Sequence, residues 1–115
     1  MKKKILVVTG GAGFVGSNLI SLLLKKTNYR VISIDNYFSG NKKNHIKSNN
    51  VKYINGDTKN ISNILKKYKK EINAIFHFGE FSRIAQSFLK FDQCIKSNSI
   101  GTHEVFNFCL INDIK

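Results

Sequence analysis

The chain has 115 residues, of which 42% are hydrophobic, and a formal net charge of +12 at pH 7. This length allows one domain that buries about two thirds of its unfolded surface, and no apolar run approaches the length of a transmembrane helix. The lysines are scattered along the chain with only Arg30 and Arg83 beside them, unlike the clustered, arginine-rich charge of a nucleic-acid-binding surface, so we expect neither a nucleic-acid nor a membrane partner.

Lysines precede a short apolar run at the amino end, which gives a superficial likeness to a signal peptide. The run gives way to glycines after Val8 and no small-residue cleavage site follows, so it is predicted as a strand, Ile5–Thr9, rather than a leader. Cys94 and Cys109 are the only cysteines, and their spacing fits neither a metal site nor a disulfide framework. These features favour a cytoplasmic protein without a bound metal.

The first strand leads into the glycine-rich segment TGGAGFVG, residues 9–16, and an amphipathic helix, Phe14–Lys26. Strand, tight glycine turn and helix in this order form the context of a dinucleotide-binding turn. Overlapping G-x-G-x-x-G and T-G-x-x-G-x-x-G spacings are formed by Gly10, Gly11, Gly13 and Gly16. Glycine allows backbone angles that side chains forbid, and the helix terminus offers N–H groups to phosphates. A plain strand-to-helix connection also uses glycines, so the turn alone leaves the ligand open.

The second strand is predicted at residues 31–35 and ends in Asp35, about 20 residues beyond the glycines, as a dinucleotide fingerprint requires. A carboxylate there accepts hydrogen bonds from the adenosine ribose and repels a 2′-phosphate, which favours NAD over NADP. Lys42 and Lys43 follow nearby, and accommodation of a phosphate by them is the alternative. The polar, glycine-containing loop of residues 35–41 is predicted to wrap the adenosine side of the cofactor.

A third strand is predicted near Val51–Asn55, with Asp57 and Thr58 at its carboxyl end beside the glycine turn. Asp57 can accept from an adenine amino group, and its alternative role is to cap the next helix, where aspartate is common. Apolar residues at i, i+3, i+4 and i+7 predict that helix over residues 61–68.

A fourth strand at residues 74–78, an irregular segment and a long helix near residues 91–112 complete the pattern. Strands that alternate with helices predict a parallel sheet with right-handed crossovers. We therefore expect an α/β Rossmann-type fold, with strand order 3-2-1-4 and helices on both faces. Residues 1–115 form one NAD-binding domain in this interpretation.

Together the motifs resemble the extended short-chain dehydrogenase/reductases of the NAD-dependent epimerase/dehydratase family, which act on nucleotide sugars. The matching pieces are residues 9–16, Asp35-Asn36 with Ser39-Gly40, Gly56-Asp57, His77-Phe78-Gly79 and Asn98-Ser99-Ile100-Gly101-Thr102. Within the family, the segment from His77 to Thr102 is most similar to the UDP-glucose 4-epimerases. The resemblance covers essentially this whole chain but only about the first third of a typical member, so we expect these 115 residues to form an incomplete sheet without the later strands and the substrate domain.

The resemblance implies a set of cofactor-binding residues. These are Gly10, Gly13, Phe14, Val15, Gly16, Asp35, Asn36, Asp57, Thr58, Phe78, Gly79, Ser82 and Asn98. Phe14 and Val15 would offer backbone amides to the pyrophosphate, and Ser82 would lie near the nicotinamide half. Asn98 would bond near the cofactor or, alternatively, make an internal helix-to-loop bond. Glu80 departs from the small residue common in the family, and His77 is expected to be a structural histidine rather than a base.

The family's chemistry requires a Tyr-x-x-x-Lys pair on a helix after strand five. Four residues after the tyrosines stand Ser33, Asn41, Asp57 and Ile72, so the chain contains no such pair and no catalytic residue is predicted. One interpretation is the amino-terminal part of a nucleotide-sugar epimerase or dehydratase, whose sugar substrate binds only with the carboxy-terminal part. The other is a non-catalytic NAD-binding module or a split subunit that another chain completes. The expected protein partner is a second copy of this chain, as in a homo-oligomer, or such a complementing chain.

Overall fold

The computed structural model describes residues 2–79 and 89–115. Within them lie four strands, β1 (Ile5–Thr9), β2 (Arg30–Asp35), β3 (Val51–Asn55) and β4 (Ile72–His77). All neighbouring pairs are parallel and the strand order is β3-β2-β1-β4. The predicted Rossmann-type order is therefore confirmed.

The fourth strand lies earlier in the chain than residues 74–78, where the sequence predicted it. β4 begins at Ile72, opposite Ile5 of β1, and ends at His77, opposite Thr9. Phe78 has already left the strand, although its N–H still donates to the Thr9 carbonyl at 3.1 Å. The bounds of β4 are those of its pairing with β1, because β4 can form ladder hydrogen bonds only where β1 runs beside it.

Helices cover both faces of the sheet, as expected for a parallel sheet with apolar strands. α1 (Phe14–Lys26) packs Ile20 and Leu23 against one face. On the opposite face lie α2 (Ile61–Ile64) and α4 (Thr102–Asn112), whereas the short α3 (Phe91–Ile95) has no buried residue. The buried Val105 and Phe108 of α4 join the core of that face. In the described ranges, no helix has both the length and the apolar character to span a bilayer.

Two helical segments differ from the predicted continuous helices. The segment predicted as one helix over 61–68 consists of a 3₁₀ turn at Thr58–Asn60, the short α2 and a second 3₁₀ turn at Lys66–Tyr68. Ser62 and Asn63 are weak helix formers, and neighbouring lysines repel one another along the same stretch. The long final helix is present, but π-type turns at Lys96–Gly101 separate α3 from α4.

The outer edge of β4 meets the end of the chain. Asp113 adopts a left-handed conformation with φ of 54° and ends α4. The Lys115 carbonyl then accepts from the Ile75 N–H at 2.7 Å, and the Lys115 N–H donates to the Asn73 carbonyl at 3.4 Å. This is one step of parallel pairing. Within residues 2–79 and 89–115, no further strand pairs with this edge.

Candidate cofactor-binding site

A cleft of about 570 Å³ opens at the carboxyl ends of the strands. Eleven of the thirteen residues predicted from the sequence line it: Gly10, Gly13, Phe14, Val15, Gly16, Asp35, Asn36, Asp57, Thr58, Phe78 and Gly79. They come from the glycine turn and from the ends of β2, β3 and β4. The parallel sheet brings them together because all its strands end on the same side.

The glycine turn closes tightly on the end of β4. Gly10 has a φ of 72°, and a Cβ atom there would lie 2.7 Å from the Phe78 carbonyl oxygen. Gly16 packs directly on the carbonyl of Gly10. No side chain caps α1 at Gly13, and no acidic residue lies in its first turn. The exposed first turn, with Phe14 82% and Val15 56% accessible, therefore offers uncapped N–H groups to an anion.

Asp35 joins the glycine turn to the following loop. Its Oδ2 accepts from the Ala12 N–H at 3.0 Å, and its Oδ1 accepts from the Tyr37 N–H at 2.8 Å. These bonds fix the orientation of the carboxylate, while the remaining lone pairs stay available to ligand hydroxyls. The alternative cations, Lys42 and Lys43, do not line the cleft, and the Lys42 Nζ instead lies 5.7 Å from the centre of the Tyr37 ring.

Asp57 is held by Asn36. The Asn36 side-chain amide donates to Asp57 Oδ1 at 2.7 Å, and Asn36 Oδ1 accepts from the Phe38 N–H at 2.9 Å. Asp57 precedes the 3₁₀ turn at Thr58–Asn60, but its side chain makes no capping hydrogen bond. The capping alternative is therefore not what the structure adopts, and a carboxylate oriented by a neighbouring amide faces the same cleft.

His77 lies between two threonine hydroxyls. Thr9 Oγ1 accepts from the N–H groups of Phe78 and Gly79, each at 3.0 Å, and lies 2.7 Å from His77 Nδ1. Because these donors occupy the hydroxyl lone pairs, the Thr9 proton points to Nδ1, which leaves the imidazole proton on Nε2. Nε2 lies 2.9 Å from Thr102 Oγ1. Both ring nitrogens thus hold structural bonds, as expected for a structural histidine.

Two predicted site residues are not brought to the cleft. Ser82, like Glu80, lies outside the described residues. Asn98 does not line the cleft, and its amide donates to the Cys94 Sγ at 3.5 Å, within the same helical segment. The role of Asn98 near the cofactor and the alternative helix-to-loop bond therefore both stay predictions.

Nine further residues line the cleft: Phe38, Ser39, Gly40, Gly56, Lys59, His77, Gln93, Lys96 and Ser97. The first three belong to the loop that was predicted to wrap the adenosine side of the cofactor, and the other six were not predicted as site residues. Neither Lys59 nor Lys96 was singled out, because the lysines are scattered along the whole chain. Lys59 directly follows Asp57-Thr58, which was a usable indication. The π-type turns at Lys96–Gly101 could not be read from the sequence, and an extra residue per turn shifts the side chain that faces the cleft.

The comparisons with known proteins agree with this geometry. Residues 6–115 match the model of the NAD dependent epimerase/dehydratase family. UDP-glucuronic acid decarboxylase 4 of Arabidopsis thaliana is 35% identical over 109 residues, which cover 89% of this chain and 23% of that protein.

Two solved structures have closely similar backbones. UDP-N-acetylglucosamine 4-epimerase from Methanobrevibacter ruminantium, in complex with UDP-N-acetylmuramic acid, has a TM-score of 0.82 at 31% identity over 100% of this chain and 36% of that one. UDP-glucose 4-epimerase from Thermotoga maritima, with UDP-glucose, has a TM-score of 0.85 at 25% identity over 96% and 35%. The chain spans well under half the length of these relatives.

Proposed function

The chain belongs to the NAD dependent epimerase/dehydratase family, and we propose that its cleft binds NAD as the cofactor half of a nucleotide-sugar epimerase or dehydratase similar to the UDP-glucose 4-epimerases. The observation that carries this proposal is the position of Asp35. Its carboxylate lies beside the glycine turn, held by the Ala12 N–H at 3.0 Å, where a dinucleotide-binding fold places its ribose-binding acid.

The residues present fit a dinucleotide. The turn packs tightly at Gly10 and Gly16, and the uncapped start of α1 lines the cleft, where its N–H groups would bind a pyrophosphate. Asp35 would accept from the ribose hydroxyls, and Asp57, oriented by Asn36, would accept from the adenine amino group. Phe78 and Gly79 would line the path toward the nicotinamide. When bound, NAD supplies a reversible hydride acceptor.

The sugar-converting step needs residues that this chain does not contain. No tyrosine is followed by a lysine four residues later, so the proton-transfer pair of the family has no counterpart here. The cleft would hold the cofactor and Asp35 would orient its adenosine, but neither action moves a proton on a sugar. We therefore expect these 115 residues alone to bind the cofactor without converting a nucleotide sugar.

Calorimetric titration with NAD tests the binding proposal. Asp35→Asn should weaken NAD binding by about 1–1.5 kcal/mol, because a charge-assisted hydrogen bond to the ribose is replaced by a neutral one. Asp113→Asn is the matched control, since Asp113 lies at the end of α4 and does not line the cleft. Equal NAD affinity of all three proteins would refute the assignment of Asp35.

An activity assay tests whether the chain alone has a catalytic base, and a complementation assay separates the two interpretations of the chain. With UDP-glucose, UDP-galactose and their N-acetyl and uronic relatives, the purified chain with NAD should show no turnover above the blank. Turnover that survives repurification would mean that a residue of this chain acts as the base. Binding of NAD without turnover suits both an amino-terminal part and a non-catalytic module, and recovery of activity on adding a chain with the Tyr-x-x-x-Lys pair would favour the former.

A further inference from the structure

The loop of residues 36–50 joins β2 to β3 and forms one wall of the cleft. Its only helical turn is the 3₁₀ turn at Lys42–Asn44. On the cleft side the loop is tied to the glycine turn, because the Ala12 carbonyl accepts from the Asn41 N–H at 3.0 Å and from the Asn44 side chain at 2.8 Å. These bonds leave open what holds the other side of the loop.

Three aromatic side chains, Tyr37, His45 and Tyr53, hold that side and are called the ring cluster below. The Tyr37 hydroxyl lies 2.6 Å from His45 Nε2. The His45 ring stacks on Tyr53 with centroids 3.8 Å apart and planes 11° from parallel. The Ile46 N–H donates to the Tyr53 hydroxyl at 2.9 Å. The cluster thus links the start of the loop, through His45, to Tyr53 of β3, and none of its members lines the cleft.

Tyr37 connects this cluster to the carboxylate of Asp35. Its φ of 60° lies in the left-handed region, which side chains with a Cβ atom disfavour. Its N–H donates to Asp35 Oδ1 at 2.8 Å, and with the N–H held there this φ carries the Tyr37 ring to His45. Relaxation of the φ would therefore separate either the ring from His45 or the N–H from Asp35, and the second change would remove one of the two amides that orient the carboxylate.

The Tyr37 hydroxyl is suited to its contact with His45. Burial, with the Asp35 carboxylate and Tyr53 close by, raises the pKa of Tyr37 above its ordinary value. The phenol therefore stays protonated through the neutral range and can donate to the imidazole. This bond and the stacking of His45 on Tyr53 oppose the relaxation of Tyr37.

We propose that Tyr37, His45 and Tyr53 are positioning residues, which hold Asp35 in the orientation that binds the adenosine ribose and rejects a 2′-phosphate. This inference rests on the proposed binding of NAD. It extends the ribose site to side chains that the nucleotide does not touch. It also gives the left-handed conformation of Tyr37 a function, since this φ lets the N–H meet the Asp35 carboxylate while the ring meets His45.

Tyr37→Phe and His45→Phe test the proposal, because each removes the hydroxyl–imidazole bond and keeps an aromatic ring. Each should weaken NAD binding about three- to tenfold, the range of a lost hydrogen bond. Binding of NADP should change less, so the preference for NAD narrows. The double variant should lose little more than either single variant, because both changes break the same bond. Tyr68→Phe is the control, since the hydroxyl of Tyr68 contacts Lys52 away from the cleft.

Hydrogen exchange of the nucleotide-free chain gives an independent readout. Tyr37→Phe should speed exchange in residues 36–46 and leave α1 unchanged. If the wild-type chain binds NAD but the ratio of NAD to NADP affinity is unchanged in both variants, this proposal alone is overturned. An equal loss of both affinities, which a merely structural role predicts, is one such result. Failure of the wild-type chain to bind NAD would overturn the proposed function and this proposal with it.

Discussion

The cleft and the outer edge of β4 lie on the same sheet, yet their surroundings differ sharply. At the cleft, backbone and side-chain polar groups are paired with one another. Asp35 bonds to two amides, Asn36 bonds to Asp57, and Thr9 bonds to His77. Each of these groups has its hydrogen-bond partner within the described residues, so the cleft needs no other chain to orient them.

Beside β4, by contrast, apolar surface faces outward. Phe106 is 64% and Leu110 82% accessible, and both line a cavity of about 390 Å³ between α4 and the edge residue Ile75. Only Lys115 pairs with this edge in the described part of the chain. Parallel sheets usually bury both faces, and an open apolar edge favours association. Because the two regions share no described lining residue apart from His77, we expect that the proposed nucleotide binding and the association of chains can be disrupted separately.

The largest effect is expected from Gly10→Val in the glycine turn. A β-branched residue cannot adopt a φ of 72° without strain, and its Cβ would lie 2.7 Å from the Phe78 carbonyl oxygen. We expect a loss of stability of at least about 3 kcal/mol and no measurable NAD binding. Denaturant unfolding and NAD titration measure both effects.

Gly13→Ala is the matched control for stability in the same turn. An added Cβ at Gly13 meets the Gly10 carbonyl oxygen at an ordinary 3.4 Å, so this variant should remain folded. If Gly10→Val unfolded at the same denaturant concentration as wild type, the result would contradict the close packing of Gly10 on the Phe78 carbonyl.

A smaller effect, confined to association, is expected from changing Phe106 and Leu110 together to lysine. Sedimentation should show that the wild-type chain associates, more strongly at high salt because its net charge of +12 is then screened. The double variant should associate at least about tenfold more weakly, since two exposed apolar side chains no longer supply surface to bury. Its NAD affinity should stay within about twofold of wild type, because neither residue lines the cleft.

A monodisperse wild-type monomer would contradict this expectation. If such a monomer unfolded cooperatively with an ordinary domain stability of about 5–15 kcal/mol, the edge of β4 would need no cover. That result would favour the interpretation of the chain as a self-sufficient NAD-binding module.

The same contrast explains what could be predicted from the sequence. Local sequence features locate the glycine turn at residues 9–16 and the carboxylate of Asp35. The spacing of the glycines marks the turn, and the end of the second apolar run marks Asp35. The sheet order then brings Asp57 and Phe78 beside them without further information. These parts of the fold and the candidate site were therefore accessible before the structure.

The remaining lining residues depend on packing between distant segments. Lys96 and Ser97 reach the cleft through π-type turns, where Gly101 packs closely on Thr58. The stacking of His45 on Tyr53 depends on the path of an irregular loop. No periodicity or propensity specifies either arrangement, because each is decided by tertiary contacts.

A crystal structure of the chain with NAD tests the central claim most directly, since the claim concerns where one carboxylate meets the nucleotide. We predict that the adenosine ribose hydroxyls lie within hydrogen-bond distance of the Asp35 carboxylate, with the pyrophosphate against the turn at Gly10 and Gly16. NAD bound with its ribose directed to Lys42 and Lys43, or bound outside the cleft, would contradict the account.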